Sequence, residues 1–385
     1  MSTTSSRPPL AAALPRILSG ESRSPLAWAW RNMLSWPGCL LYRAALFVRD
    51  SLYALRLKRT HRLPVPVVSL GNLSAGGTGK TPAVLLLARA LEESVLAPRG
   101  ATLALLSRGY RPLPDKTEDS ASNDEARLLA ELAPQLRHVG NKNRVAAARA
   151  LLAEEPSLGC FLLDDGFSHR RLARNVEIVL IDATRPFGFW ELLPRGLLRE
   201  PPSALKRADA VLLTRSDLVA PERLAALRTR VRRCARDEAP VAHAVHAPVS
   251  LEAVWPHAAS YTSAAAREPY EVRDKRVFML AGIGNPEAFR ATLANLGAHL
   301  VGEAIWPDHH PFRAGDVQAI HAKAAAAGAT YVVTTHKDAV RLAAHAPPAN
   351  DPMWRYLKVE FQLTEGAELF WERVLARLAS ATESR

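Results

Sequence analysis

Cysteine is scarce in this sequence. Among the 385 residues there are three cysteines, Cys39, Cys160 and Cys234, which lie far apart and form no CxxC pair. A disulfide framework needs paired cysteines, and a cysteine-based zinc site needs closely spaced ones. The sequence therefore argues against both, and it favours a reducing compartment.

Acidic residues are fewer than basic ones. The chain has 38 Asp and Glu residues against 50 Lys and Arg residues, which gives a formal net charge of +12. Such a surplus favours an anionic partner, which could be nucleic acid, an acidic membrane surface or a phosphorylated substrate. Hydrophobic residues make up 48% and charged residues 23% of the chain, values that exclude a chain disordered throughout.

The N-terminal region has no uninterrupted apolar run. Residues 1–24, rich in Ser, Pro, Arg and Ala, are predicted to be disordered, and residues 25–62 are predicted to form a helical arm that Pro37 and Gly38 interrupt. Charged residues within the arm argue against a spanning helix, which needs about 20 mostly apolar residues. Aromatic and aliphatic residues beside a basic cluster suit a helix in the interface of an anionic membrane. The alternative is an N-terminal helix packed on the domain.

From residue 65 onwards, short β-rich runs alternate with helical patterns. This alternation predicts an α/β fold in which a parallel sheet carries helices on both faces. The periodicity stops in one stretch and then resumes, which predicts two domains. The predicted boundaries are 63–256 for the first α/β domain, 257–275 for a connector and 276–385 for a smaller C-terminal α/β domain.

A glycine-rich loop, SAGGTGKT at residues 74–81, follows one predicted strand and opens the next predicted helix. This is the context of a phosphate-binding loop, in which backbone N–H groups and the helix dipole bind phosphate. Lys80 is placed to reach the β- and γ-phosphates of ATP, and Thr81 to put its hydroxyl on Mg²⁺. Ser74 stands where the usual motif has its first glycine, so a turn without a ligand is the alternative. The residues assigned to ATP are Ser74, Ala75, Gly76, Gly77, Thr78, Gly79, Lys80 and Thr81.

Two carboxylates, Asp164 and Asp165, end an apolar strand pattern. In that position they are able to hold Mg²⁺ directly or through water. Alone, such a pair is often only a turn or a helix cap, but the phosphate loop favours the metal role. The first domain is therefore predicted to be of the P-loop NTPase type.

Several segments narrow the function further: SLGNLSAGGTGKTP at 69–82, LDDGFSHRRL at 163–172, WPDHHPF at 306–312 and TTHKDAVRL at 334–342. In this order and spacing, the chain resembles the tetraacyldisaccharide 4′-kinase family, the lipid A 4′-kinases of Gram-negative bacteria. The resemblance implies transfer of the γ-phosphate of ATP to the 4′-hydroxyl of a tetraacyldisaccharide 1-phosphate. It implies ATP and Mg²⁺ as cofactors, the lipid and an anionic membrane surface as partners, and no nucleic acid. The expected location is the cytoplasmic face of the inner membrane, with peripheral attachment through the arm.

The resemblance also implies catalytic and substrate residues. Asp124 matches the family's catalytic aspartate and His309 its histidine partner, and Lys80 completes the predicted catalytic set. A positioned carboxylate can accept the proton of a sugar hydroxyl as the P–O bond forms. Without the resemblance, Asp124 reads as a helix N-cap and His309 as a loop histidine or a member of a metal pair. Positions that could contact the disaccharide or its phosphate are Tyr110, Arg144 and His169. Positions that match without a derivable role include Arg199 and Glu200.

Two other functions stay open at the level of the sequence. The segment LLTRSD at 212–217 is similar to the motif by which GTPases read guanine, with Arg215 where lysine is usual. A P-loop GTPase or ATPase acting as a regulatory switch is therefore the main alternative. A basic nucleic-acid-binding protein is disfavoured, because aromatic residues make up only 6% and no nucleic-acid-binding motif occurs.

Overall fold

A computed structural model describes most of the chain, as residues 35–109, 128–255, 267–308, 310–345 and 353–383. The chain divides into two compact units. Of the described residues, the phosphate-loop unit takes 40–109, 128–193, 197–247 and 360–383. The second unit takes 35–39, 194–196, 248–255, 267–308, 310–345 and 353–359.

Strands and helices alternate along the described chain. The strands are β1 Val67–Asn72, β2 Thr102–Ser107, β3 Arg137–Gly140, β4 Leu158–Asp164, β5 Val176–Asp182, β6 Ala210–Thr214, β7 Val241–Ala253, β8 Arg276–Ala281, β9 His299–Ile305, β10 Tyr331–Thr335 and β11 Trp354–Leu363. The helices are α1 Ser35–Ala54, α2 Lys80–Leu91, α3 Arg144–Glu154, α4 Pro221–Cys234, α5 Pro286–Asn295, α6 Ala314–Ala326, α7 His336–Leu342 and α8 Ala367–Glu383.

A parallel sheet forms the centre of the phosphate-loop unit. Its strands follow the order β3-β2-β4-β1-β5-β6-β7, and their pairings are parallel. Every residue of β1 and of β5 is buried. Strands covered by helices on both faces are buried in this way, whereas strands with one wet face alternate.

Successive side chains of β1 enter two different cores, because neighbouring residues of a strand point to opposite faces. Val68 packs in a core with Leu87 of α2 and Phe370 of α8. Val67 packs in a second core with Leu151 of α3. The loop between β1 and α2 is thus fixed at both ends by buried elements.

The second unit repeats the same architecture on a smaller scale. Its strands follow the order β11-β10-β8-β9, again with parallel pairings. Leu293 of α5 packs in one core, and Ile320 of α6 and Leu342 of α7 pack in another. The predicted α/β class with a parallel sheet and helices is confirmed.

Helix α1 runs through Pro37 and Gly38, so the predicted interruption there is wrong. The described part of this helix spans Ser35–Ala54, and both residues lie within it. In the described part of the chain, no helix combines the length and the apolar character that crossing a membrane requires.

Candidate functional site

The glycine-rich loop at residues 74–81 connects β1 to α2. Gly76 has a φ of 110° and Gly79 a φ of 84°, both in the left-handed region that favours glycine. Helix α2 begins at Lys80, so the loop ends at the positive end of the helix dipole. The loop therefore has the backbone conformation and the position of an anion-binding loop.

Two hydrogen bonds hold the start of this loop. The N–H of Ala75 donates to the carbonyl of Leu197 at 2.7 Å. The side-chain amide of Asn72 donates to the carbonyl of Ser74 at 2.6 Å. Because Ser74 accepts this bond through its backbone, a serine in place of the usual glycine leaves the contact intact.

Lys80, Asp165, Arg199 and Asn72 form a charged cluster beside the loop. The Nζ of Lys80 lies 3.2 Å from Oδ1 of Asp165 and 3.4 Å from Oδ1 of Asn72. Arg199 donates to both carboxylate oxygens of Asp165, at 2.9 Å and 2.7 Å, and also to Oδ1 of Asn72. A bidentate pair of this kind fixes geometry as well as charge. The structure thus brings together the loop lysine and one of the two strand-end aspartates.

The environment of Asp165 favours its ionised form. Burial alone would raise the pKa of this carboxyl, but the hydrogen bond from Arg199 and the charge of Lys80 outweigh burial and hold the pKa well below its usual range. The φ of Asp165 is 49°, a left-handed conformation that few residues other than glycine, asparagine and aspartate adopt. At neutral pH this carboxylate therefore stays charged and bound to two cations.

Asp164 is the last residue of β4 and pairs with Leu70 of β1. It therefore lies at the edge of the sheet from which the phosphate loop departs. The hydroxyl of Thr81 and the carboxylates of Asp164 and Asp165 are hard oxygen donors, the kind that Mg²⁺ prefers. No group of three or more His, Cys, Asp and Glu side chains in the described residues could hold a metal ion. A divalent cation at this edge would take its remaining ligands from phosphate and water.

Arg144 and His169 lie in a region of positive charge. Arg144 begins α3, is 3% exposed and donates to the carbonyl of Asp165 at 3.2 Å. The Nε2 of His169 is buried and has no hydrogen-bond partner. Burial, and then the charges of neighbouring arginines that include Arg144, Arg174 and Arg108, lower the pKa of His169 to about 4. A neutral histidine with an unpartnered ring nitrogen among arginines is suited to bind an anion.

Three predicted site residues, Asp124, Tyr110 and His309, lie outside the described residues. The residues on both sides of position 309 are described, and two side chains of α7 contact them. Lys337 places its Nζ 3.2 Å from Oδ1 of Asp308, and Arg341 donates to the carbonyl of His310 at 3.1 Å. The segment at residues 334–342 therefore binds the residues on both sides of the predicted catalytic histidine.

Sequence reasoning gave no role to two members of the charged cluster, Asn72 and Arg199. Asn72 ends a fully buried strand, and a polar residue at that point is a signal that could have been used. Arg199 is more than a hundred positions away from the loop in sequence, so only its match to the family marked it. Its contacts with Asp165 depend on the fold.

Comparisons with known proteins agree with these features. A family model described as tetraacyldisaccharide-1-P 4′-kinase matches residues 31–379. The tetraacyldisaccharide 4′-kinase of Anaeromyxobacter dehalogenans (strain 2CP-C) is 41% identical over 339 residues, covering 85% of this chain and 86% of that protein. The tetraacyldisaccharide 4′-kinase of Syntrophus aciditrophicus (strain SB) is 37% identical over 324 residues, covering 79% of this chain and 82% of that protein.

Similarity also extends to a solved structure, that of LpxK from Aquifex aeolicus in complex with ATP. It has a TM-score of 0.61 and 24% sequence identity, and the match covers 89% of this chain and 98% of that chain. At this level of sequence identity, the similarity supports the same fold. Since the family model and the relatives each span most of the sequence, the chain belongs to the tetraacyldisaccharide 4′-kinase family and is a kinase.

Proposed function

We propose that this kinase transfers the γ-phosphate of ATP to the 4′-hydroxyl of tetraacyldisaccharide 1-phosphate and so forms lipid IVA, a step of lipid A biosynthesis. The observation that carries the proposal is the contact between Lys80, at the end of the phosphate loop, and Asp165, next to the end of β4. A loop lysine beside a strand-end carboxylate is a recurring arrangement in phosphoryl transfer. Family membership supplies the acceptor and disfavours the regulatory switch.

The phosphates of ATP would lie against residues 74–81. Backbone N–H groups of the loop and the ammonium of Lys80 would stabilise negative charge on them. Thr81, Asp164 and Asp165 would hold Mg²⁺, because their hydroxyl and carboxylate oxygens fit that ion. When bound, Mg²⁺ supplies positive charge to the β- and γ-phosphates.

The acceptor hydroxyl needs a base, and Asp124 fills that role in this proposal. His309 would orient the carboxylate of Asp124 and tune its pKa. Both assignments come from the match to the family. Support for His309 comes from the anchoring of its neighbours, because Lys337 and Arg341 hold the positions before and after it.

The 1-phosphate of the lipid needs a cationic site. Arg144 and His169 offer one, since an arginine charge and an unpartnered ring nitrogen lie close together there. In this assignment Arg144 binds the phosphate electrostatically, and Nε2 of His169 completes its hydrogen bonds. Tyr110 is proposed to contact the disaccharide.

Membrane attachment would use the outer face of α1. Leu46 on the inner face is buried, whereas the outer face carries large exposed apolar residues: Trp36, Leu40, Leu41, Phe47 and Val48. A basic run follows the helix, with Arg56, Lys58, Arg59 and Arg62. Such a helix binds an anionic surface by burying its apolar face and attracting head groups.

The acyl chains of the substrate would stay in the bilayer. Exposing them to water would cost about 0.8 kcal/mol for each CH₂ group. The proposed location of this contact is the cytoplasmic face of the inner membrane, where ATP is available.

A phosphoryl-transfer assay tests the proposal. Purified protein, labelled ATP and Mg²⁺ are incubated with and without detergent-dispersed tetraacyldisaccharide 1-phosphate, and label in the lipid is measured. We expect lipid-dependent transfer that Lys80→Ala lowers by about 10²–10³-fold, because the variant loses a charge on the transferring phosphate. The surface variant Lys206→Ala serves as control and keeps full activity. Absence of label in the lipid would contradict the function, and unchanged turnover of folded Lys80→Ala at saturating ATP would contradict the phosphate-loop assignment.

A further inference from the structure

Two consecutive carbonyls of the phosphate loop accept hydrogen bonds from the residues that end and follow β6. Nη2 of Arg215 donates to the carbonyl of Gly77 at 3.0 Å. Oγ1 of Thr214 donates to the carbonyl of Thr78 at 3.1 Å. Thr214 is fully buried. The loop is thus held from the side of β6 as well as by its own chain neighbours.

Arg215 is itself held in place. Its Nη1 forms an ion pair with the carboxylate of Asp182 at the end of β5, and the side chains are 12% and 6% exposed. The other oxygen of Asp182 accepts bonds from the N–H and the hydroxyl of Thr184 at 3.0 Å and 2.7 Å. The φ of Arg215 is 57°, an uncommon conformation for an arginine, and such conformations persist where the surroundings impose them. One end of the guanidinium is therefore anchored while the other reaches the loop.

His246 in β7 lies against the next loop residue, Gly79. A Cβ at Gly79 would come within 2.5 Å of Nε2 of His246, so a larger residue there would force the ring to shift. The ring meets Phe361 edge-on at 5.3 Å between centroids, and its Nδ1 is buried without a hydrogen-bond partner. Burial, and then the charge of Arg215, lower the pKa of His246 to about 3, so this ring is uncharged at neutral pH.

Peptide geometry links these contacts to phosphate binding. In a planar trans peptide, the C=O and the following N–H point in opposite directions. Fixing the carbonyl of Gly77 towards Arg215 therefore turns the N–H of Thr78 the other way. Fixing the carbonyl of Thr78 towards Thr214 does the same for the N–H of Gly79. These N–H groups belong to the loop that receives the phosphates, and such donors act best when they are oriented in advance.

We propose that Thr214 and Arg215 are positioning residues for the phosphoryl-transfer reaction, which preset the N–H groups of Thr78 and Gly79. Asp182 anchors Arg215, and His246 closes the space beside Gly79. This assigns a role to the T-R-S-D segment that resembles a guanine-reading motif: it acts on the phosphate loop and not on a base.

Variants of the two donors test the proposal. Thr214→Val removes one hydroxyl at nearly constant volume, and Thr229→Val is the matched control because Thr229 also donates to a backbone carbonyl, that of Ala225, within α4. Arg215→Gln removes the charge, while Arg215→Lys keeps a charge for Asp182 but lacks the planar fork that also reaches Gly77. The full-length enzyme is assayed for kcat, for KM of ATP and lipid, and for thermal unfolding. Its affinities for ATP and for inorganic tripolyphosphate are measured in parallel.

We expect Thr214→Val and Arg215→Gln to lower kcat/KM for ATP by about 10- to 100-fold, with KM for the lipid unchanged. Arg215→Lys should recover part of the loss, and Thr229→Val should behave like the wild type. Affinity for tripolyphosphate should fall by the same factor as affinity for ATP.

A loss of ATP affinity with unchanged tripolyphosphate affinity would overturn the proposal, because the segment would then contact the base. Full activity of folded Thr214→Val, or a loss that only tracks the folded fraction, would overturn it as well. If Arg215→Gln does not fold, Thr214→Val decides alone.

Discussion

Asp165 lies between Lys80 and Arg199 and holds the ammonium of the loop lysine beside the phosphate loop. A lysine side chain loses considerable rotamer entropy when it is fixed, and the ion pair offsets that cost. Arg199 makes the pair rigid through its two hydrogen bonds. The two cations and the one carboxylate leave a net positive charge beside the phosphate loop.

The predicted catalytic pair can be tested by a double-mutant cycle. Asp124→Asn and His309→Ala should each lower kcat by about 10²–10⁴-fold, the usual range for loss of general-base catalysis, and change affinity for ATP little. If the residues act as a unit, the double variant should be hardly slower than the slower single variant. Turnover at saturating ATP and lipid gives kcat, and equilibrium binding gives ATP affinity. His299→Ala, at an exposed site in the same unit, is the control. Losses that add fully in the double variant would argue against the pair.

Helix α1 joins the phosphate-loop unit through polar contacts on its inner face. Arg49 makes two hydrogen bonds of 2.7 Å and 2.9 Å with the buried carboxylate of Glu200. The hydroxyl of Tyr42 donates to the carbonyl of Arg199 at 3.0 Å. Removing the whole helix would take Arg49 away from Glu200 and leave that carboxylate with its longer pair to Arg207 at 3.5 Å. Changes on the outer face leave these contacts intact and so test the helix more cleanly.

Charges on the outer face of α1 should release the protein from membranes. Leu41 and Phe47 are both 73% exposed, so the double change Leu41→Asp and Phe47→Asp should spare the fold. We expect binding to vesicles that contain anionic lipid to fall by at least about tenfold, since buried apolar area is lost and head groups repel the new carboxylates. Co-sedimentation measures this, and ATP affinity should stay unchanged. Leu369→Asp on α8, where the side chain is 62% exposed, is the control. Equal vesicle binding by the double variant and the wild type would rule out the outer face as the docking surface.

Across the whole molecule, buried neutral histidines link stability to pH. In the unfolded chain a histidine has a pKa of about 6.5. Burial, and then the charge of Arg215, lower the pKa of His246 to about 3 in the folded state. Between those pH values the unfolded state binds more protons than the folded state. Stability therefore falls as pH falls through 6.5, and it is retained above that value.

We expect the folded protein to lose up to about 2 kcal/mol of stability between pH 7 and pH 5 through His246. His246→Gln, which does not titrate, should show a smaller drop of its unfolding temperature over this interval than the wild type. Thermal unfolding at both pH values measures the difference. His299→Gln, at an exposed position, is the control and should follow the wild type. An identical drop in His246→Gln would mean that the ring is already protonated in the folded protein at pH 5.

The fold class and the phosphate loop could be predicted from the amino-acid sequence without a structure. Both depend on local patterns. Apolar periodicity indicates buried strands and helices, and the loop is recognised from glycines and a lysine within eight consecutive residues that a helix follows. The aspartates at the end of β4 were found for the same reason. The acceptor was specified only by the order of motifs along the whole chain, since a phosphate loop alone serves many functions.

Which distant residues contact that loop depends on how the chain folds. Arg199 and Arg215 follow the loop by more than a hundred positions, yet one binds Asp165 beside Lys80 and the other binds the carbonyl of Gly77. The sequence could not show this, because parallel strands place their carboxyl ends at one edge whatever their separation along the chain. Pro37 likewise suggested a break, whereas α1 is helical from Ser35 to Ala54 and includes that proline. Local patterns record what neighbouring residues do together, and contacts between segments exist only once the sheet has brought them side by side.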